Sequence, residues 1–397
     1  MKTSFELSTE LDQYGRAIRD WAVRECRPVA READTTHDLP ERWQEILDSC
    51  PVPIGRTHRA GPDAVPSFDE GHWVMLLVQQ ENMAYGDVWI SGAIRSSLGH
   101  LTVEAMGTDE QVEKWYEPAV DGELRAAFAL TEPGFGSDTS RVATIAVRDG
   151  GTWVLNGTKM YCSYAAFADY TTVFARCDDG DGGSTVAAFV VPKGTPGFVI
   201  LKENEDKLGI RSWATSLVAL DSCRIPLDHR LGWTNEGAAV VKRSGRGGAL
   251  AALGNNRPNI SAVAIGIAQA SVDVTRERLA GAQDEYEPDR WGAMMADLDA
   301  MDDALERMRS VCYRSQSLTD AGQPDRALSS AAKAYAPPTC ERIVLSCMVM
   351  LGPVGASDEL LLEKWYRDMK IMDIFEGTAQ IHRLIVARSL MGKEAVG

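Results

Sequence analysis

Along this chain the apolar residues recur first at helical spacing, then at strand spacing, then at helical spacing again, so helices must flank a central β module. Before about residue 122, Leu11, Tyr14, Ile18 and Trp21 form a helical stripe behind a Ser8 cap, and Trp43, Ile46, Leu47 and Cys50 form a second. Residues 50–68, with Pro51, Pro53, Gly55, Gly61, Pro62 and Pro66, read as a connector. Between about 125 and 235 the runs 171–175, 186–191, 198–201 and 216–220 are short, β-branched or aromatic, and separated by Gly, Pro and Asp. Residues 152–155 lead into Asn156 and Gly157, a strong hairpin signal. After about 237 the helical stripes return as Ile260, Val263, Ala264, Ile267; as Met294, Leu298, Met301, Leu305, Met308, Cys312; and as Leu362, Trp365, Tyr366, Met369. The methionines of the second stripe read as bundle core, because Met fills irregular gaps there. The expected architecture is a multidomain α+β protein. It has an N-terminal α-helical domain over 1–122, a central antiparallel β-barrel over 123–236 and a C-terminal four-helix bundle over 237–397.

The chain has 397 residues, enough for two or three domains with a sizeable core. Its formal net charge of -16 argues against nonspecific nucleic-acid binding, which needs a basic surface. The eight cysteines lie far apart without a C-x-x-C pair or zinc spacing, so no metal is expected and a reducing cytoplasm suits them. The N-terminus MKTSFELSTE has no apolar signal core, and no apolar run approaches the ~18 residues a membrane helix needs. The expectation is a soluble, unprocessed, cytoplasmic protein.

Four segments narrow the reading. They are ALTEPGFGSD at 129–138, NGTKMYCS at 156–163, KLGIR at 207–211 and RDMKIMDIFEGT at 367–378. In this order and spacing they resemble the acyl-CoA dehydrogenase family, and the resemblance runs from about Leu11 to Leu390. It implies FAD as cofactor and an acyl thioester, carried on coenzyme A or a carrier protein, as substrate. Gly134 and Gly136 would let backbone approach a flat cofactor, and Thr131 and Ser137 offer polar groups to its edge. By resemblance Phe128, Leu130, Thr131, Gly136, Ser137, Tyr161, Ser163, Thr378 and Gln380 bind the cofactor. Ser137, Arg257, Glu376 and Gly377 serve the substrate. The family usually has Trp where Tyr161 stands.

Glu376 is the candidate catalytic residue. Taken alone, a carboxylate before a helix is explained by the helix dipole. Within the motif it is the base for a weakly acidic thioester α-proton, which calls for an apolar pocket that raises its pKa. Donors on the thioester oxygen stabilise the enolate-like charge, and the β-hydrogen leaves as hydride to the flavin. Some relatives carry the base just before an Arg-Pro pair; here that pair is Arg257 and Pro258, and Asn256 precedes it, so that alternative location lacks a carboxylate. Arg257 is expected to orient the loop and to help hold the anionic carrier.

The pattern also breaks. The family's Arg-x-x-Phe-Gly motif, which contacts the ADP half of the cofactor across a subunit interface, is replaced after GIAQ (266–269) by ERLAGAQDEY (277–286). Ala282 lies near the expected Arg, Glu285 near the Phe, and Arg278 one turn too early. The Gln-x-x-Gly-Gly loop has become VMLGP at 349–353, and Pro337 with Pro338 should interrupt a helix that is usually continuous. The leading expectation is an α,β-dehydrogenase passing electrons to an electron-transfer flavoprotein, as a homotetramer or heterotetramer. The alternatives are a flavin oxidase or monooxygenase on the same fold, or a subunit that needs a partner to complete the FAD site.

Overall fold

The computed structural model describes residues 7–55, 66–94, 98–178, 184–234 and 245–392. The N-terminal part is helical: α1 (Thr9–Trp21), α2 (Ala30–Thr36), α3 (Trp43–Asp48), α4 (His72–Gly86), α5 (Trp89–Ala93), α6 (Leu98–Met106), α7 (Asp109–Gln111) and α8 (Glu117–Val120). Ser8 caps α1, its hydroxyl accepting from Leu11 N at 3.3 Å, and Leu11, Tyr14, Ile18 and Trp21 are all buried. Helix α4 is buried on nearly every face because it packs between α1 and the long helices of the C-terminal part. The second predicted stripe forms α3 with Ile46 buried; part of the predicted connector, 56–65, lies outside the described residues.

Among the described residues seven strands follow: β1 (Ala126–Ala129), β2 (Ile145–Asp149), β3 (Thr152–Ser163), β4 (Tyr170–Asp178), β5 (Ser184–Pro192), β6 (Phe198–Lys202) and β7 (Thr215–Pro226). They form one sheet in the order β1-β4-β2-β3-β7-β6, with β5 on β4. Most pairings are antiparallel, but β4 pairs in parallel with both β1 and β2. Alternation along β4 and β5 sends Val173 and Phe189 into one apolar cluster and Phe174 and Val190 into another, so both strands are buried on both faces.

Asn156 and Gly157 do not make the expected hairpin turn. They sit inside β3 at a bulge, where the register with β7 shifts between Leu155 and Gly157. A Cβ on Gly157 would lie 2.5 Å from Thr144 Oγ1, and Asn156 Oδ1 accepts from Ser222 N at 2.8 Å. Close approach of Thr144, just before β2, rather than a reversal, therefore requires the glycine. The reversal falls earlier, at Gly150 and Gly151, between Asp149 and its partner Thr152.

The C-terminal part contains α9 (Gly245–Leu279), α10 (Pro288–Asp320), α11 (Arg326–Leu351), α12 (Leu362–Met372) and α13 (Ala379–Met391). Helix α9 packs on α4, α10 and α11, and α11 packs on α13. The predicted stripes line this core, with Met301 and Tyr366 half-buried at its edge. Pro337 and Pro338 do not interrupt α11, which runs through both. A proline inside a helix costs about 3 kcal/mol, so packing on both sides of α11 must offset that loss.

Helix α12 ties the parts together and brings two of the four sequence motifs into contact. A Cβ on Gly209 would lie 2.2 Å from Arg367 O, so only glycine lets the 207–211 segment lie against α12. Ile210 N donates to Asp368 Oδ1 at 2.6 Å, and Lys364 bridges Asp368 and Asp87, both at 2.7 Å. Arg367 pairs with Asp34 of α2 at 2.5 Å. Among the described residues, no helix is long and apolar enough to cross a membrane.

Candidate active site

The predicted site residues fall into two groups, one on the sheet and one on the bundle. On the sheet side, the segment after β1 makes a tight turn in which Glu132 N donates to Phe135 O and Phe135 N to Glu132 O, at 3.0 and 3.1 Å. Thr131 O accepts from Met160 N at 2.9 Å, tying this turn to β3 where the register shifts between Lys159 and Cys162. The irregularity turns Tyr161 outward with a left-handed φ of 59° and leaves it 57% exposed. Ser137 and Ser163 are exposed beside these segments, whereas Leu130 is buried and Phe128 half-buried against Phe174.

The turn has a built foundation. Glu132, buried beneath it, accepts from Lys159 Nζ at 2.7 Å, Thr144 Oγ1 at 2.6 Å, Thr144 N at 2.9 Å and Ala143 N at 2.7 Å. Burial alone would raise the Glu132 pKa; the hydrogen bonds from Lys159, Thr144 and Ala143 outweigh it and hold the carboxyl below its ordinary range. Lys159 Nζ also donates to Leu130 O at 3.1 Å. Gly136 is different in kind. A Cβ there would meet only Thr131 Cγ2, at 3.9 Å, and one on Gly134 would meet nothing, so the chain itself does not demand glycine at either position. An open shelf of exposed hydroxyls, small residues and an outward tyrosine fits a flat, polar-edged ligand.

On the bundle side, Glu376 and Gly377 form a turn with consecutive left-handed φ values of 56° and 99°. A non-glycine residue in that region stores about 1 kcal/mol or more and persists only where its surroundings enforce it. Those surroundings are specific. Asn256 Nδ2 donates to Glu376 Oε1 at 2.5 Å, and Lys333 Nζ donates to Gly377 O at 3.3 Å. A Cβ on Gly377 would lie 2.9 Å from His382 Nε2, which closes the turn on its other side. Thr378 then caps α13, its hydroxyl accepting from Ile381 N at 3.4 Å, while Gln380 is exposed. Phe375 meets Trp213 edge-on at 6.3 Å between ring centres, which joins the turn to the connection between β6 and β7.

Arg257 is buried and donates to Ser330 Oγ at 3.3 Å, a position that suits orienting the turn from beneath. Burial lowers its pKa to about 10, with Glu376 opposing, so it stays a cation at neutral pH. Burial brings Lys333 down to about 8 against the opposing pull of Glu376 and Asp373. His382 falls to about 3 through burial and the nearby Arg257 and Lys333, and is neutral at physiological pH. The surroundings of Glu376 are thus more polar than the apolar pocket expected of its base role.

Sequence reasoning missed Lys333, His382 and Trp213. Lys333 left a signal, a lone cation on the buried stripe Ala332, Ala336, Cys340 of α11. The position of Asn256, read as an empty alternative, holds an amide bonded to Glu376. At the expected ADP contacts, Ala282 and Glu285 flank a short 3-10 turn, Arg278 pairs with Glu359 at 3.2 Å, and the Arg290 guanidinium lies over the Tyr286 ring. A cleft of about 700 Å³ between α3, the residues after it and the end of α5 is lined by none of the predicted site residues.

Comparisons with known proteins agree in kind. Family models described as acyl-CoA dehydrogenase, middle domain, and acyl-CoA dehydrogenase, C-terminal domain, match residues 127–223 and 243–391. The chain is 30% identical to the short-chain specific acyl-CoA dehydrogenase, mitochondrial, of Mus musculus, over 98% of this chain and 92% of that one. It is 32% identical to the caffeyl-CoA reductase-Etf complex subunit CarC of Acetobacterium woodii, over 95% and 97%. A glutaryl-CoA dehydrogenase from Mycobacterium smegmatis, solved in complex with FADH2, shares the fold with a TM-score of 0.83 at 24% identity, covering 98% of this chain and 97% of that one.

Proposed function

Because the chain belongs to the acyl-CoA dehydrogenase family, we propose that it oxidises an acyl-CoA across its α,β carbon–carbon bond, with Glu376 taking the α-proton. It is a flavin oxidoreductase acting on CH–CH groups, and its cofactor is FAD. When bound, FAD supplies the hydride acceptor for the β-carbon. On the sheet side Phe128, Leu130, Thr131, Gly136, Ser137, Tyr161 and Ser163 would hold it, with Thr378 and Gln380 from the bundle. The residues of the chain supply placement and proton transfer.

The observation that carries this reading is the Glu376–Gly377 turn, a carboxylate held on strained backbone and anchored by Asn256, Lys333 and His382. Strain concentrated on one ionisable residue is expected where its position matters more than stability. The charge of Glu376 lies near two buried cations, Arg257 and Lys333, and opposes the lowering of their pKa values by burial. The Glu376 backbone N–H is the donor that the family resemblance assigns to the thioester oxygen. A monooxygenase has no use for a base at this point.

An electron-transfer flavoprotein is the proposed acceptor, supported by the likeness to a subunit of an Etf complex. Leu345, Val349, Leu384 and Leu390 are exposed apolar residues on α11 and α13, and Leu390 is 82% exposed. Exposed apolar side chains on these two helices support assembly through the bundle as a homotetramer or a mixed tetramer. All eight cysteines are free, which suits a cytoplasmic setting. The division into 1–122, 123–236 and 237–397 is retained as the proposed domain plan.

Glu376→Gln tests the base, since an amide of the same shape cannot take the proton. FAD content should stay the same, while anaerobic flavin reduction by butyryl-CoA or a longer acyl-CoA slows at least ~10²-fold. Equal rates in variant and wild type would place the base elsewhere.

A further inference from the structure

Three buried amides form a directed chain that ends on Glu376. Gln316 Nε2, on α10, donates to Asn255 O at 3.0 Å and to Asn259 Oδ1 at 3.1 Å. Asn259 Nδ2 donates to Asn256 Oδ1 at 3.4 Å, and Asn256 Nδ2 donates to Glu376 Oε1 at 2.5 Å. Gln316, Asn259 and Asn256 are 0%, 1% and 3% exposed.

The direction of this chain follows from what each group can do. A backbone carbonyl only accepts, so Asn255 O turns the NH2 end of Gln316 toward α9. Asn259 then presents its oxygen to Gln316 and its NH2 to Asn256. Asn256, its oxygen occupied, is left with its NH2 facing the carboxylate. To present oxygen to Glu376 instead, Asn256 would have to break its bond from Asn259 inside a buried site, where an unmade hydrogen bond is costly.

We propose that Asn256 is a positioning residue for the base: aimed by Asn259 and Gln316, its amide holds the Glu376 carboxylate ionised and oriented for the α-proton. This rests on Glu376 being that base. A donor of fixed direction suits a carboxylate, an acceptor-only group, better than the protonated acid. The amide stands where some relatives carry the base itself, so in this chain that position serves the base at 376.

Other titratable groups lie around the turn as well. Arg257 lies on α9, Lys333 on α11, Asp373 precedes the turn, and His382 lies on α13. His382 titrates near 3 and Lys333 near 8, so neither titrates in the window between. Asp373 is raised by burial, with Lys333 opposing, but it is common to every variant compared.

The test is the pH profile of anaerobic flavin reduction by butyryl-CoA, measured on FAD-loaded wild type, Asn256→Ala, Asn256→Asp and Gln316→Met, with Glu376→Gln as control. Loss of the amide donor should move the acidic limb of the Ala variant up by about one pH unit. The Asp variant should move further, because a second carboxylate opposes ionisation of the first. Gln316→Met, which frees the far end of the chain, should shift the limb the same way by less. A purely structural role would lower the rate at every pH and leave the limb in place, and that result overturns the proposal. Should Asn256→Ala fail to fold, the Asp and Gln316→Met profiles decide. Should Glu376→Gln reduce its flavin at the wild-type rate, the base assignment fails, an outcome separate from an unmoved limb in a chain whose Glu376 is essential.

Discussion

The two halves of the site are built on opposite plans. On the sheet side the groups that would face the cofactor, Ser137, Tyr161 and Ser163, are exposed, and the buried polar chemistry lies beneath them in Glu132 and Lys159. On the bundle side the proposed base, Glu376, is itself bonded into a half-buried polar network, with Asn256 bonded to its carboxylate and Lys333 to the next carbonyl. The difference matches the two tasks proposed for them. A surface that grips a ligand can be rigid underneath and open above. A carboxylate that moves a proton must have its own protonation state set by its neighbours.

The comparison is broken most forcefully from beneath the sheet side. Lys159→Met leaves the buried Glu132 carboxylate without its cation, and removing one partner of a buried pair costs about 3 kcal/mol or more. Glu132 keeps donors in Thr144 and Ala143, which places this variant toward the lower end. Urea unfolding of the FAD-free protein should show the loss, and FAD should be released more readily, while the acidic limb of the rate profile stays in place. A moved limb would mean that the two halves are not independent.

A smaller effect sharpens the bundle side. His382 has a folded pKa of about 3 against an ordinary 6.5. Between those values falling pH protonates the unfolded chain but not the folded one, so stability is lost as pH drops through this window. Above it the histidine is neutral in both states and contributes no pH dependence. The slope for one proton approaches ~1.4 kcal/mol per pH unit. His382→Gln should remove about 2 kcal/mol of the stability difference between pH 6.5 and 5, read by chemical denaturation at both pH values. Parallel pH dependence in variant and wild type would show that His382 is not the group responsible.

The smallest effect isolates the shelf. Gly136→Ala places a methyl where only Thr131 Cγ2 lies within 4 Å, so FAD-free stability should change by no more than ~0.5 kcal/mol. FAD affinity, titrated by fluorescence, should nonetheless fall, because the methyl would enter the space assigned to the cofactor. Unchanged affinity would remove Gly136 from the cofactor set.

Much of this was legible in the residues. The stripes that named Leu11, Ile18, Leu298, Leu305 and Met308 as core are local patterns, and those side chains are buried. Where local signals failed, a neighbour distant in sequence decided. Asn156 and Gly157 look like a turn until Thr144 is seen against the glycine, and two prolines look like a break until α11 is seen packed on both sides. Asn256 was visible as a missing carboxylate, but its use as a donor depends on Gln316, which is 57 positions from its partner Asn259.

The sequence alone determined the order of helical, β and helical parts, because hydrophobic periodicity is a property of neighbouring residues. The ordered motifs likewise sufficed to identify a flavin oxidoreductase. Only the tertiary structure decided which polar groups meet: Glu132 with Lys159, Lys333 with Gly377, and Asn256 with Glu376 across 120 positions. A hydrogen bond requires atoms within about 3 Å and correctly aimed, and the packing of separate elements, rather than spacing along the chain, sets that distance and direction.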